Sequence, residues 1–219
     1  AYGLHKPLLA AHEHNEREAA QTVLARLREG QRVVYVSDAG TPGVSDPGAR
    51  LVAEVRAAGH RCVPVPGVSS VTALLSVGGQ DTGDSGFRFA GFLPTRGAER
   101  DRALQAIAAD AQACVLLEAP HRIEALARDL GTHLGPRPVT LGRELTKQFE
   151  EIALQPADRL ADWLAQGDQR KRGEFVLLVR ASAPASAVGD TDDAALRVLD
   201  ALLTELPVKT AVKLAAQIT

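Results

Sequence analysis

Residues Ser37–Gly48 read SDAGTPGVSDPG and follow directly on the β-rich run Arg32–Val36, RVVYV. A strand that gives way to a loop with three glycines, two prolines and two aspartates fits an open α/β sheet, in which ligands bind beyond the carboxyl ends of the strands. Glycine lets a backbone approach a ligand closely, and Asp38 can accept a hydrogen bond from a hydroxyl or an amine. Asp46 followed by Pro47 predicts a helix start, because the fixed φ of proline suits the first turn and its missing donor is no loss there.

Outward from this loop the pattern alternates. Asn15 with Glu18 resembles a capping box, Ala20, Val23, Leu24 and Leu27 share one helical face, and Gly30 stands where a helix ends. On the other side, a helix carrying Leu51, Val52 and Val55 inward stops at Gly59, and a second strand, Cys62–Val65, runs into Pro66–Ser70 (PGVSS). Ser69 or Ser70 caps the next helix, which offers backbone donors and two small hydroxyls at its start. Helices and strands joined this closely imply parallel strands covered by helices. Either loop alone also reads as a plain turn. Neither matches the dinucleotide fingerprint or a Walker loop, so nicotinamide cofactors and ATP are not favoured.

Gly78–Gly86, GGQDTGDSG, has four glycines and no periodicity, and marks a boundary. Beyond it, Phe87–Phe92, Cys114–Glu118, Val139–Gly142, Phe149–Leu154 and Glu174–Arg180 read as extended; Leu104–Ala108, Ile123–Leu130 and Leu160–Leu164 read as helical. Adjacent extended segments without a crossover helix predict a mixed sheet. Ser182–Asp190 reads as a linker, with helices around Leu196, Leu199 and Leu203 and around Val208, Val212, Leu214 and Ala215. The expected fold class is therefore α/β: a parallel-sheet domain over residues 1–83, a mixed-sheet domain over 84–181, a ligand cleft between them, and a linker with a short helical tail over 182–219.

Composition narrows the class. A chain of 219 residues with 45% hydrophobic and 24% charged residues suits a globular protein. No apolar run approaches the roughly 20 residues that span a bilayer, and nothing at Ala1 reads as a signal peptide, which predicts a cytoplasmic protein without a membrane partner. Cys62 and Cys114 sit in apolar runs and read as reduced thiols. A net charge of −2 argues mildly against binding through phosphates, so any RNA partner has to be met by a local basic patch. His12 and His14 flank Glu13, but no third ligand has useful spacing, and no metal is expected.

HEHNE (His12–Glu16), SDAGTPGVSDPG, VPVPGVSS, GFLPTRG, EAPHR, GRELTK and GEFVLLV occur in this order along the chain. Together they resemble the tetrapyrrole methylase superfamily, and HEHNE, SDAGTP and RELTK resemble its branch of ribose 2′-O-methyltransferases acting on a cytidine of small-subunit ribosomal RNA. The resemblance covers essentially all of the chain. It implies S-adenosylmethionine as cofactor, ribosomal RNA or the assembled small subunit as partner, and a homodimer. It implies cofactor contacts at Asp38, Ala39, Gly40, Thr41, Ser69, Ser70, Leu117, Ala119, Leu145 and Phe175. It also implies an opening strand, a T-P-I-G-N-L loop and an E-D-T-R motif ahead of the point matching Ala1, which would supply one wall of the cofactor site and an acidic residue.

For methyl transfer to a hydroxyl, Glu144 reads as a base, Lys147 as a cation for developing oxyanion charge and Arg143 as a phosphate holder. A surface salt-bridge cluster is the plain alternative. RNA contacts are expected from Arg96, Arg100 and Arg102, from Arg122, and from Arg170, Lys171 and Arg172, although Glu99, Asp101, Asp168 and Glu174 adjoin these clusters. Two other functions stay open: a corrin or porphyrin ring methylase, and a non-catalytic RNA-binding fragment.

Overall fold

The runs Ala113–Glu118 (ACVLLE) and Phe175–Val179 (FVLLV) are apolar at nearly every position, as strands covered on both faces must be. In the computed structural model, which describes residues 3, 5–12, 15–37, 40–79, 86–182, 196, 198–204 and 206–218, they pair antiparallel inside a five-stranded sheet. Its strands are β1 (Phe87–Phe92), β2 (Ala113–Glu118), β3 (Pro138–Arg143), β4 (Glu151–Pro156) and β5 (Phe175–Val179), in the spatial order β1-β2-β5-β3-β4. Of the hydrogen-bonded neighbours only β1 and β2 pair parallel; β5 is antiparallel to both β2 and β3, and β4 to β3. The mixed sheet expected from the adjacent extended segments is present.

The helices among the described residues are α1 (Glu16–Arg28), α2 (Ala49–Ala57), α3 (Ser70–Val77), α4 (Ala98–Ala109), α5 (Ile123–Leu134), α6 (Ala157–Ala165) and α7 (Val208–Ile218), with a short 3-10 turn at Asp168–Lys171, and residues 198–203 are also helical. One sheet face packs Leu116, Leu141 and Leu177 against Leu104, Leu126, Leu130, Leu160 and Leu164 of α4, α5 and α6. The other face packs Val115, Val176 and Leu178 against Leu74 of α3 and against Leu145. Each such leucine, fully buried, contributes about 1.5–3 kcal/mol of transfer free energy. A third cluster joins α1 to α2 through Ala20, Val23, Leu24, Leu51 and Val55.

Four expectations differ from the structure. Arg32–Val36 and Cys62–Val65 form no strand among the described residues, and Val34 (79% exposed) and Val65 (88%) face outward. β-branched residues favour a pleated surface but need a neighbouring strand to make a ladder, and no described segment offers one here. Asn15 does not cap α1 with its side chain; its Oδ1 accepts the His12 N–H (2.7 Å) and its Nδ2 donates to the Ala10 carbonyl (3.0 Å). Finally, α2 starts at Ala49 with Gly48 as its cap, so Asp46 and Pro47 belong to the loop.

Most of the 78–86 boundary and of the 182–190 linker lies outside the described residues. Cys62 and Cys114 are free thiols, and burial raises the pKa of Cys114. Among the described residues no helix is long and apolar enough to cross a membrane, and no group of three or more His, Cys, Asp or Glu side chains is arranged to hold a metal.

Candidate active site

Three strands, the turn after β3 and two helix-entry loops line a cleft of about 600 Å³. Gly40, Thr41, Val44, Ser45 and Asp46 line it from the loop before α2, and Val68–Val71 from the start of α3. Phe89 and Phe92 come from β1, Leu117–Pro120 from the end of β2, Leu145–Lys147 from the turn after β3, and Glu174–Val176 from the start of β5. Every cofactor residue expected from sequence and described in the structure (Gly40, Thr41, Ser69, Ser70, Leu117, Ala119, Leu145, Phe175) therefore lies on one cleft; Asp38 and Ala39 lie outside the described residues. Sequence reading missed Asp46, Phe89 and Phe92. Asp46 read as part of a helix start and Phe87–Phe92 simply as an extended run; the signals were the place of Asp46 in a glycine-rich loop and of Phe92 at a strand end.

Glu144 and Thr146 have left-handed backbones (φ +49° and +67°) on either side of Leu145, whose side chain packs into the core with Leu74. Backbone strain of this kind concentrates at functional sites. The Glu144 carboxylate accepts the Glu174 N–H at 2.8 Å and the Lys147 ammonium at 3.0 Å through the same Oε1. Lys147 also donates to Glu174 Oε2 at 3.0 Å. Gly173, at φ +91°, leaves the space that the Glu144 side chain occupies; a Cβ there would overlap it.

The model of the family "Tetrapyrrole (Corrin/Porphyrin) Methylases" matches residues 4–161, and that of the "RsmI C-terminal HTH domain" matches residues 189–219. The chain is 44% identical over 219 residues to the Ribosomal RNA small subunit methyltransferase I of Pseudomonas aeruginosa, covering 100% of this chain and 77% of that protein. The chain belongs to the tetrapyrrole methylases. Among solved structures, the methyltransferase CobJ superposes with a TM-score of 0.57 at 22% identity, over 77% of this chain and 72% of that one. A uroporphyrin-III C-methyltransferase from Thermus thermophilus, complexed with S-adenosyl homocysteine, superposes with a TM-score of 0.51 at 23% identity, over 75% and 73% of the two chains. At these identities the two structures show a shared fold.

Tetrapyrrole methylases use S-adenosylmethionine, a ligand with an ammonium group and ribose hydroxyls to donate. The cleft suits it: Asp46 Oδ2 and Glu118 Oε2, on residues that line it, are buried without a hydrogen-bond partner among the described residues. A buried acceptor left unpaired is costly, and a donor-rich ligand removes that cost. Phe89 and Phe92 add aromatic surface suited to a flat heterocycle.

In this tetrapyrrole methylase the Glu174 N–H, followed by the Lys147 ammonium, holds the Glu144 carboxyl below its ordinary pKa. Partial burial pulls Lys147 down, but its bonds to Glu174 and Glu144 outweigh that and hold it above its ordinary value. Both groups stay charged through neutrality. The Glu144 contribution to stability is present above the ordinary carboxylate pKa and is lost as pH falls through the lowered one; the Lys147 contribution is present below the ordinary ammonium pKa and is lost as pH rises through the raised one. Since Lys147 is 41% exposed on its side chain, the pair is worth at most about 1 kcal/mol. The stability difference between wild type and Lys147→Met, followed by urea unfolding, is expected to be flat from about pH 6 to 9 and to shrink towards pH 3. A maximum confined to acid pH would contradict these assignments.

The basic residues separate into two kinds. Arg96, Arg102 and Arg172 are exposed. Arg100, read from sequence as an RNA contact, is only 6% exposed and is a structural tie: Nε meets Asp129 at 2.7 Å and Nη1 the Pro94 carbonyl at 2.9 Å. Arg122 is tied to Glu118 and to the Leu93 carbonyl, and Lys171 pairs with Glu124 at 3.1 Å. Arg170 stacks over the Trp163 ring at 4.2 Å and bonds Glu151 and Gln166. Arg143, read as a phosphate holder, is buried against the same Glu151 (3.3 Å) and does not line the cleft.

Proposed function

We propose that this methyltransferase transfers a methyl group to the ribose 2′-hydroxyl of a cytidine in small-subunit ribosomal RNA, acting in the cytoplasm as a homodimer on the assembled subunit. The observation that carries this reading is the Lys147 ammonium, held on the cleft wall by two carboxylates beside the loops that suit the methyl donor. The Pseudomonas aeruginosa relative, a Ribosomal RNA small subunit methyltransferase I similar over the whole chain, supports ribosomal RNA as substrate.

S-adenosylmethionine supplies a methyl group on a sulfonium: a bond forms between the ribose oxygen and the methyl carbon, the carbon–sulfur bond breaks, and its electron pair stays on sulfur. Gly40–Asp46 and Ser69–Val71 hold the donor end of the cleft, chiefly through main-chain groups and small hydroxyls. Lys147 faces the oxygen and stabilises the negative charge that grows as its proton leaves. Glu144 is a positioning residue for Lys147 and not the base, because its lowered pKa and two bonds make it a weak proton acceptor. Glu174, which lines the cleft and meets Lys147 through Oε2, is placed to take the proton. Arg96, Arg102 and Arg172 contact phosphates, and residues 1–83, 84–181 and 182–219 form the two lobes and the RNA-holding tail.

Incubation with unmethylated small ribosomal subunits and S-adenosylmethionine labelled in its methyl group is expected to place label in RNA, at a phosphodiester that then resists alkaline cleavage. Label on a tetrapyrrole substrate and none in RNA would overturn the reading.

A further inference from the structure

Glu16, the last residue of HEHNE, is buried at the first position of α1. Its Oε1 reaches away from its own helix and accepts the backbone N–H of Gly48. Gly48 is the N-cap of α2, the helix that closes SDAGTPGVSDPG. That helix has none of the usual devices at its start. Its cap residue has no side chain, its first turn holds no acidic residue, and its third position is Leu51, where a capping box places a glutamate that bonds the cap N–H.

We propose that Glu16 caps α2 from α1 and is thereby a positioning residue for the methyl-donor loop. Its carboxylate bonds the group that a capping-box glutamate would bond, and adds negative charge at the positive end of the helix. The loop is held next to the same point. Tyr35 donates its hydroxyl to the Pro47 carbonyl at 2.8 Å, and its ring leaves no room for a Cβ on Gly48, whose φ of +119° itself favours glycine. The Pro47 carbonyl also accepts the Gly43 N–H at 3.2 Å, and the Thr41 carbonyl accepts the Val44 N–H at 3.1 Å. A shift at Gly48 therefore passes through Pro47 and Gly43 to the neighbouring Thr41, Val44, Ser45 and Asp46, which line the cleft. This rests on the reading that the cleft takes the donor.

The test is calorimetric titration of S-adenosylmethionine into wild type, Glu16→Ala, Glu16→Gln and Leu24→Ala, with amide hydrogen exchange followed over residues 40–48. Leu24→Ala weakens the same α1–α2 packing while leaving Glu16 and its bond to Gly48 in place. Loss of the cap is expected to raise the donor Kd about tenfold in Glu16→Ala, and about twofold to threefold in Glu16→Gln, which keeps a neutral acceptor. Leu24→Ala should bind as wild type, and exchange over 40–48 should speed up only in the Glu16 variants. Glu16→Ala binding no more weakly than Leu24→Ala, with equal exchange, overturns the proposal. If Glu16→Ala fails to fold, Glu16→Gln decides: an unchanged Kd and unchanged exchange overturn it. Ala119→Trp, which fills the cleft, tests the donor reading separately. If it binds donor like wild type, that reading falls, and loop exchange alone decides whether Glu16 is the cap.

Discussion

Replacing Lys147 by alanine is expected to lower the rate of methyl transfer about a hundredfold or more, while the Kd for S-adenosylmethionine changes by no more than about twofold. A cation fixed in advance at the point where oxyanion charge develops acts on the transition state and adds little to ground-state binding. Lys147 is so fixed, by carboxylates of Glu144 and Glu174 each 3.0 Å from its ammonium. Glu144→Gln should lower turnover less, by roughly tenfold, because its amide oxygen can still accept the Glu174 N–H but no longer offers Lys147 a full charge. Lys147→Arg should rescue little, since a planar fork cannot occupy the place of a compact ammonium between two carboxylates. Single-turnover assays on small ribosomal subunits separate this step from binding. Near wild-type rates in Lys147→Ala would remove Lys147 from the chemistry and leave it a surface ion pair.

The inner strands of the sheet were legible because ACVLLE and FVLLV are covered on both faces, which leaves a continuous apolar run in the sequence. RVVYV carries an equally strong β signal yet forms no ladder among the described residues, because propensity describes one segment and a ladder requires two. The cleft was legible where small residues follow strand-like runs, at Gly40–Thr41 and Ser69–Ser70. Asp46 was not, because an Asp-Pro pair signals a cap whether or not the helix starts there. The arginines were least legible. Arg96 and Arg100 belong to one basic cluster, but only the contacts of Arg100 with Asp129 and Pro94 show that it serves the fold. HEHNE marked the family while concealing its work, since the partner of Glu16 is a backbone N–H 32 residues further along the chain.

Arg122→Ala is expected to destabilise the protein by about 3–5 kcal/mol, the cost of breaking one side of a buried ion pair. The Glu118 side chain is fully buried; its Oε1 accepts from Arg122 Nε at 3.0 Å and from the Ala119 N–H at 2.9 Å, and its Oε2 has no partner among the described residues. Without the guanidinium, that carboxylate keeps a single main-chain donor, and the Leu93 carbonyl loses the Arg122 Nη2 that meets it at 2.6 Å. Replacing both partners by apolar residues, Glu118→Met with Arg122→Leu, removes the buried charge and should recover most of the loss. A double-mutant cycle in urea is expected to give a coupling of about 2 kcal/mol or more; a coupling near zero would mean that solvent reaches the pair. The same double variant also decides what Arg122 does for RNA. If it contacts a phosphate, the refolded double variant should bind RNA more weakly at every sequence, with a salt slope lower by about one. If Arg122 instead ties the end of β2 to the loop after β1, RNA affinity and its salt dependence should stay as in wild type, and the structure, which turns the guanidinium towards Glu118 and Leu93, favours that outcome.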